Sequence, residues 1–374
     1  MIEALDLSRP VSLYIHIPFC QTKCGYCAFY STVDHSAKEQ FLATLNKHIS
    51  VLNEEIKKPY KSIFIGGGNP GIIGFDELLK IAENACKYGR AEEFSIEINP
   101  EHVSNDIEKL IPYVNRISVG IQSFDDNALK TIGRNARRRD NINALNILSS
   151  LKDKYKLQIN GDLICCIPGH SKEKTLEDIE TLSSFNVDHI SLYSLTFEEG
   201  TKLTQSVKPL DEGEEREILI AAWDKLDELG YEQYEISNFA KKECRCIHNQ
   251  VYWNLGQYIG LGPSAESSVG YKKVISLREK DSVEEYIKTP SFDAYKLSKE
   301  ELEEEYLLTH LRLKDGINKE DYFDRFSQSF DDVYNSFIEN LEEGLYTNDE
   351  KCFKLTKEGF LVENQVILTL AMAI

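Results

Sequence analysis

Three cysteines lie close together near the start of the chain, Cys20, Cys24 and Cys27, in the spacing C-x3-C-x2-C. They follow an apolar stretch, residues 11–17, that predicts a β-strand, so the thiols are expected on the loop that leaves this strand. Thiolates are the usual ligands of iron–sulfur clusters, and three at this spacing suit three irons of a cubane 4Fe-4S cluster. The fourth iron would stay open to an exogenous molecule, which is what the reductive cleavage of S-adenosylmethionine requires.

Two other interpretations of these cysteines stay open from the residues alone. Cysteine often packs as a small buried apolar residue. Three cysteines can also form part of a zinc site, although zinc knuckles more often use two C-x2-C pairs. The spacing, with Tyr26 directly before the third cysteine, resembles the signature of the radical SAM superfamily, and this resemblance favours the cluster.

The composition excludes several classes of partner and of location. The chain has 374 residues, 41% of them hydrophobic, and a net charge of −19, which argues against binding to nucleic acid or to an anionic membrane surface. The first residues are not expected to form a signal peptide, because no basic segment precedes an apolar one, and no apolar run approaches the ~20 residues that span a bilayer. Nine irregularly spaced cysteines fit a reducing compartment, so a cytoplasmic location is expected.

Six short runs rich in β-branched and aromatic residues alternate with segments of helical periodicity, which predicts six βα units and a parallel sheet. The predicted strands are 12–17, 62–65, 94–98, 116–121, 158–164 and 189–195. The predicted helices are 38–56, 75–88, 104–114, 141–152, 173–185 and 214–229. A doubly wound sheet and a barrel both satisfy this alternation, but polar residues follow strand after strand, which favours a partial (βα)6 barrel.

The residue composition and the periodicity of the sequence change twice after this region. We therefore expect three parts: a partial barrel over 1–230, an aromatic-rich connecting region over 231–295, and a C-terminal domain over 296–374. Three helices and a short hairpin are predicted in the last part, which resembles a small winged-helix-like α+β domain. Its acidic balance makes a role in DNA binding unexpected.

A glycine triplet ends the second predicted strand, followed by Asn69 and Pro70. Glycines let a ligand approach the backbone closely, although such turns are common by themselves. In this position the segment resembles the part of a radical SAM barrel that binds the amino group of S-adenosylmethionine, which makes Gly67, Gly68 and Asn69 candidate cofactor residues. Relatives usually have Thr where this chain has Asn69.

Four polar residues follow at successive strand ends. Glu97 could accept hydrogen bonds from the amino group or the ribose of S-adenosylmethionine, Gln122 is a neutral donor and acceptor, and Arg134 could hold the carboxylate with its guanidinium fork. Asp162 is the next polar residue, on the fifth strand. Each of them alone could be an ordinary surface or ion-paired residue.

Together with Tyr14, the cysteine loop and the glycine triplet, these residues resemble the oxygen-independent coproporphyrinogen III oxidase superfamily over essentially the whole chain. The resemblance implies that the four polar residues bind S-adenosylmethionine and that Tyr14 contacts a cofactor. True oxidases of this superfamily usually carry a fourth cysteine where this chain has Phe29, a candidate cofactor neighbour, and a longer N-terminal arm. Phe29 and the early first strand resemble the HemW-type haem chaperones instead.

The segment from Cys246 to Trp253 resembles the H-N-x-x-Y-W motif that HemW-type proteins associate with haem. Imidazole or thiolate can ligate haem iron and an aromatic ring can stack on the porphyrin, so His248 and Trp253 are candidate haem residues, with Cys246 as the alternative ligand. His248 and Trp253 could instead anchor the segment under the barrel, and a zinc site with Cys244 is a further alternative. Relatives usually carry histidine where this chain has Glu266.

The resemblance therefore implies a haem chaperone that binds a 4Fe-4S cluster, S-adenosylmethionine and haem. Its partner would be a haem-requiring acceptor protein, such as a membrane-bound respiratory enzyme, without the chain itself spanning the membrane. An oxygen-independent coproporphyrinogen III oxidase, which removes propionate carboxyl groups by radical chemistry, is the alternative. A radical SAM methyltransferase of related fold is a third.

Overall fold

A twelve-stranded sheet dominates the structure, a computed structural model that describes residues 5–288 and 292–374. Its central strands follow the chain in order, and each neighbouring pair is parallel. They are β1 (Val11–Ile17), β2 (Ser62–Gly67), β3 (Glu93–Ile98), β4 (Arg116–Gln122), β5 (Gln158–Cys165) and β6 (His189–Ser194). A doubly wound sheet reverses its strand order at a switch point, so the unbroken order from β1 to β6 is that of a partial barrel. The predicted α/β fold is confirmed.

Helices connect these strands and bury their apolar faces against the sheet. They are α1 (Lys38–Ile56), α2 (Phe75–Ala85), α3 (Asp126–Thr131), α4 (Arg138–Tyr155), α5 (Lys172–Ser184) and α6 (Glu212–Glu228). The helix predicted over 104–114 is wrong in type, because a short 3-10 helix, Asn105–Leu110, stands there. This short helix buries Ile107 and Leu110, which is less apolar surface than a full-length α-helix would bury against the sheet.

The segment after residue 230 extends the same sheet at both edges. Strands β7 (Glu232–Glu235) and β8 (Asn238–Ala240) continue it beyond β6, and β9 (Gln257–Leu261) pairs in parallel with β1. Beyond β9 lie three antiparallel strands, β10 (Glu266–Val269), β11 (Ile275–Glu279) and β12 (Phe292–Lys296). The segment also forms the short helices α7 (Ile247–Trp253) and α8 (Val283–Lys288). The domain boundaries at 230 and 295 stay a prediction.

The C-terminal part combines helices with a small antiparallel sheet. The helices are α9 (Lys299–His310), α10 (Lys319–Phe326), α11 (Phe330–Ile338), α12 (Lys357–Phe360) and α13 (Glu363–Ala371). The strands β13 (Ile317–Asn318), β14 (Tyr346–Asn348) and β15 (Cys352–Leu355) pair in the order β13-β15-β14. Among the described residues no helix is both long and apolar enough to cross a membrane.

A bulge at the end of β4 sets the direction of one predicted site residue. The pairing of β4 with β5 shifts register between Gly120 and Gln122, and Gln122 has a left-handed φ of 65°. The buried Asn141 of α4 holds this conformation, since its Nδ2 donates to the carbonyls of Ile121 at 3.0 Å and Ser123 at 2.8 Å. Bulges next to functional sites commonly redirect a side chain in this way.

We predict that Asn141→Ala lowers the free energy of unfolding by about 1–3 kcal/mol, because the carbonyls of Ile121 and Ser123 lose the buried amide that donates to both. Urea denaturation measures the change. Asn143→Ala, on the exposed side of the same helix, is the matched control and should stay within about 0.5 kcal/mol of the wild type. Equal stability of the two variants would contradict the role given to Asn141.

Candidate functional site

The cysteine loop leaves β1 at the carboxyl end of the strand and folds back on itself. The N–H of Cys20 donates to the carbonyl of Thr32 at 2.9 Å, and the N–H of Thr32 donates to Pro18 at 2.8 Å. The N–H of Gly25 donates to the carbonyl of Ile132, just after α3, at 2.9 Å, which ties the middle of the loop to the fourth βα unit. The thiols of Cys20, Cys24 and Cys27 are half-buried and free of disulfides.

Within residues 5–288 and 292–374, no three His, Cys, Asp or Glu side chains converge on the position of a single metal ion. This holds for the cysteine loop and for the segment that contains Cys244, Cys246 and His248. In a cubane cluster each thiolate binds a different iron, so the three sulfurs need not meet at one point. The loop is therefore compatible with a cubane cluster.

The glycine triplet packs directly against the cysteine loop. The N–H of Gly68 donates to the carbonyl of Ile17, and that of Asn69 donates to the carbonyl of Phe19, both at 2.8 Å. A Cβ on Gly68 would lie 2.7 Å from the Phe19 oxygen and 2.9 Å from the Cys20 sulfur. Gly67 has a φ of +115°, and a Cβ there would meet the Ile17 oxygen at 2.8 Å. Both positions thus require glycine.

The side chain of Asn69 is already used within the protein. It is buried, its Oδ1 accepts from the N–H of Gly71 at 3.1 Å and of Asn99 at 3.3 Å, and its Nδ2 contacts His102 Nδ1 at 2.9 Å. It therefore caps the short 3-10 helix that follows and joins β2 to the end of β3. Its part in cofactor binding stays a prediction.

Glu97, near the end of β3, has a carboxylate without a hydrogen-bond donor among the described residues. Burial, reinforced by the nearby charge of Asp162, raises the pKa of Glu97 to about 8. A carboxylate in this setting favours a cationic ligand, since the cation would supply the missing donor and stabilise the ionised form. Glu97 thus suits the amino group predicted from the sequence.

Gln122 and Asp162 differ in how fully they are paired. Gln122 is buried, and its Oε1 has no hydrogen-bond partner in the described part of the chain. Asp162 accepts from Ser118 Oγ at 2.9 Å and from Asn160 Nδ2 at 2.7 Å, while burial raises its pKa. Gln122 is therefore the residue with an acceptor left for a ligand, and Asp162 is held in a fixed orientation.

Arg134 lies between the cysteine loop and the strand ends. Its Nη2 donates to Asn99 Oδ1 at 2.9 Å and to the carbonyl of Gly120 at 2.6 Å, and its Nη1 faces the Cys24 sulfur at 3.6 Å. Its Nε–H is buried without a partner among the described residues. Because both hydrogens of Nη2 are used, the predicted bidentate clamp on a carboxylate requires that one of these bonds be exchanged. The orphan Nε–H is the donor that a ligand could use directly.

Tyr14 faces this region, and Phe29 points away from the protein. The Tyr14 hydroxyl lies 2.9 Å from His16 Nδ1, and burial, together with the charge of Glu97, raises its pKa. Phe29 is 72% exposed. Their predicted contacts with cofactors stay predictions.

Two residues that the sequence analysis missed belong to the same region. His16 is buried between Tyr14 and the carbonyl of Tyr30, next to Gly67, and Asn99 supports Arg134. Each stands two residues after a predicted site residue, His16 after Tyr14 and Asn99 after Glu97. The period of two in a strand could therefore have placed them on the same face.

His248 and Trp253 lie apart from this site, at the opposite end of the strands. His248 Nδ1 contacts the Oγ of Ser62, the first residue of β2, at 2.8 Å, and Nε2 contacts the Tyr252 hydroxyl at 2.7 Å. Five residues of strand, about 16 Å, separate Ser62 from Gly67. His248 is 1% exposed, its ring stacks on Phe64, and burial lowers its pKa to about 3.

This placement favours the interpretation in which His248 anchors α7 under the barrel, since both ring nitrogens are engaged. Glu93 strengthens the anchor, because its carboxylate accepts from the N–H groups of Ile247 and His248, both at 2.9 Å. The indole Nε1 of Trp253 is buried without a partner among the described residues, and Arg312 lies 5.8 Å from its ring. Haem ligation by His248 stays a prediction, and it requires that one of these hydrogen bonds break.

We predict that Gly68→Ala displaces the cysteine loop and lowers stability by about 1–3 kcal/mol, because the new methyl group meets a carbonyl and a sulfur. Iron and sulfide content after anaerobic reconstitution should fall well below that of the wild type. Gly213→Ala, in helix α6, is the control and should take up a full cluster. Full iron uptake by Gly68→Ala would contradict the close packing of the two loops.

Family models match two parts of the chain. Residues 14–182 match the radical SAM superfamily, and residues 297–362 match the HemN C-terminal domain. Among solved structures, coproporphyrinogen III oxidase (HemN) from Escherichia coli superposes with a TM-score of 0.84 and 19% identity, over 100% of this chain and 93% of that chain. At this identity the likeness shows the fold.

Curated relatives cover nearly the whole chain. It is 31% identical to the heme chaperone HemW of Bacillus subtilis over 379 residues, which is 95% of this chain and 97% of that protein. It is 31% identical to HemW of Buchnera aphidicola (from Acyrthosiphon pisum), over 94% of this chain and 95% of that protein. HemW of Escherichia coli is 34% identical over 70% of this chain and 71% of its own length. The chain therefore belongs to the HemW family within the radical SAM superfamily.

Proposed function

We propose that this protein is a haem chaperone that binds a 4Fe-4S cluster and S-adenosylmethionine and delivers haem to a haem-requiring acceptor protein. The similarity to curated HemW proteins over nearly their full length carries this proposal. A cytoplasmic location and a membrane-bound respiratory enzyme as the acceptor are part of it.

In this proposal Cys20, Cys24 and Cys27 hold the cluster, which when bound supplies an electron to the sulfonium of S-adenosylmethionine. The residues of the chain fit both groups, because buried polar atoms without partners, Gln122 Oε1 and Arg134 Nε, remain beside the cysteine loop. Glu97 binds the amino group of S-adenosylmethionine and Arg134 binds its carboxylate. Tyr14 forms one wall of the cofactor site. Backbone groups of Gly67, Gly68 and Asn69 complete the cradle.

Asp162 has a positioning part in this proposal. Its two oxygens are fixed by Ser118 and Asn160, and its charge adds to the effect of burial in raising the pKa of Glu97, which favours the protonated form in the ligand-free site. Replacing that proton by an ammonium group would stabilise both carboxylates at once.

The alternative, a coproporphyrinogen III oxidase, rests on the shared fold. To separate the two functions, the reconstituted protein is incubated in parallel with haem and an apo-acceptor, and with coproporphyrinogen III, S-adenosylmethionine and reductant. We expect bound haem that passes to the acceptor, and no protoporphyrinogen IX over multiple turnovers. Turnover of coproporphyrinogen III without haem transfer would replace the proposal by the alternative.

Binding of S-adenosylmethionine should release close to one proton per molecule at pH 7. Glu97 has a pKa of about 8 in the free protein, so it is mostly protonated at pH 7 and must ionise to accept the ammonium group. Calorimetry in buffers of different ionisation enthalpy measures the release. Glu97→Gln should abolish it and weaken binding by about 1–3 kcal/mol, whereas the exposed Glu92→Gln should change neither. Unchanged release in Glu97→Gln would remove Glu97 from the site.

A variant at Tyr252 can distinguish haem ligation by His248 from a purely structural role of His248. His248→Ala should shift or erase the Soret band of the haem complex if the imidazole ligates iron. Tyr252→Phe keeps the ring but frees His248 Nε2, so it should keep the band and bind haem at least as tightly. If neither variant changes the spectrum while Cys246→Ala does, the thiolate is the ligand. Unchanged spectra in all three variants would mean that the segment is structural.

A further inference from the structure

A cavity of about 460 Å³ lies at the amino ends of β1 and β2, between the barrel and the C-terminal part. Its walls include Ser12 of β1, Val251 and Gln250 of α7, and Arg325 of α10. The volume is within the range of small-molecule sites. The cavity is distinct from the cysteine site, which lies at the carboxyl ends of the same strands.

Arg325 is a buried cation with an unsatisfied donor in this cavity. It is 6% exposed, and its Nε–H has no partner among the described residues. Its guanidinium is stacked 4.2 Å from the ring centroid of Tyr271, and its Nη1 donates to the Tyr271 carbonyl at 3.4 Å. A buried charge is costly unless an opposite charge pairs with it, so this arrangement favours an anionic ligand.

Two further cations line the same cavity. Arg9 lies 3.5 Å from the ring centroid of Tyr271 and pairs with Asp6, while Lys61, just before β2, pairs with Glu92. One carboxylate, Asp321, also lines the cavity, and it accepts from the hydroxyls of Tyr306 at 3.0 Å and Tyr271 at 3.3 Å. Within the described residues, Arg325 is therefore the cation of this cavity that forms no ion pair, since Arg9 and Lys61 each have a carboxylate partner of their own.

The class of ligand follows from the residues that line the cavity as well as from the charge of Arg325. Helix α7, which carries the H-N-x-x-Y-W motif, presents Ile247, Val251 and Gln250 to the cavity, and Leu255 adds apolar surface. Ser12 links the cavity to the motif, since its hydroxyl accepts from Ser62, which in turn contacts His248. A site with a buried, unpaired arginine and apolar walls fits an apolar molecule that carries carboxylates.

We propose that this cavity binds the propionate groups of haem, with Arg325 as the central partner and Arg9 and Lys61 at the rim. The inference rests on the proposed haem function and names the groups that recognise the ligand. A guanidinium is suited to a carboxylate because it donates two parallel hydrogen bonds, and the stacking on Tyr271 keeps its plane fixed.

The test compares haem with haem dimethyl ester, in which both propionates are uncharged. The wild type should bind the ester about tenfold or more weaker than haem. Arg325→Gln should weaken haem binding by a similar factor and should bind the ester as the wild type does. Lys61→Gln, at a half-exposed rim position, should give a smaller loss in the same direction and covers the case in which Arg325→Gln does not fold.

Arg278→Gln is the matched control, since Arg278 is an exposed arginine that pairs with Asp281 outside the cavity. It should bind haem as the wild type does. Equal binding of haem and its ester by the wild type overturns this inference and leaves the chaperone function standing. A wild type that binds no haem overturns both. Equal weakening of haem and ester by both cavity variants also overturns it, because the effect would then not depend on the carboxylates.

Discussion

The contact between Gly68 and the loop of Cys20 is the constraint on which the rest of the site depends. Parallel pairing of β1 with β2 puts the ends of the two strands side by side, so the loops that leave them must share one volume. A side chain on Gly68 would occupy the position that the Cys20 sulfur and the Phe19 carbonyl already fill. Because Gly68 has no Cβ, the backbone of its loop can pack directly against the thiol of Cys20.

The two ends of the barrel are joined by buried hydrogen bonds. The N–H of Cys246 donates to the Tyr234 hydroxyl, which contacts His189 Nε2 at 2.8 Å. His189 Nδ1 lies 2.6 Å from Asn160 Oδ1, and Asn160 donates to Asp162 at 2.7 Å. Burial holds the pKa of His189 well below its usual value, so the ring stays neutral. These hydrogen bonds connect Asp162 to Cys246, the residue that precedes α7, and so fix the orientation of Asp162 relative to that helix.

The sequence predicted the parallel sheet and the positions of its strand ends, because runs of β-branched residues stop where glycine or polar residues begin. It also placed Glu97, Gln122, Arg134 and Asp162 at one end, since they lie on or after three neighbouring strands, β3, β4 and β5. These residues converge in the structure through Asn99 and Asn160, whose supporting bonds no local pattern reveals.

Features that depend on contacts between residues far apart in the chain could not be predicted from the sequence. The strained φ of Gln122 is held by Asn141, and one of the two partners of His248 is Ser62, at a separation of 186 residues. The spacing of the H-N-x-x-Y-W motif is compatible with ligation and with anchoring alike, and only burial distinguishes them. The cavity beside α7 likewise brings together Arg9, Lys61 and Arg325, which no single segment contains.

The place of β1 between β2 and β9 also has a consequence for biosynthesis. Its inner neighbour β2 follows soon in the chain, but its other neighbour begins at Gln257, whose side chain accepts from the N–H of Asp6 across 251 residues. A contact of such high order forms late, because the intervening chain must first leave the ribosome. Until then one edge of β1 is unpaired while the cysteine loop attached to it already exists. The nascent chain thus exposes a strand edge beside three thiols, and the arrival of β9 is the event that closes it.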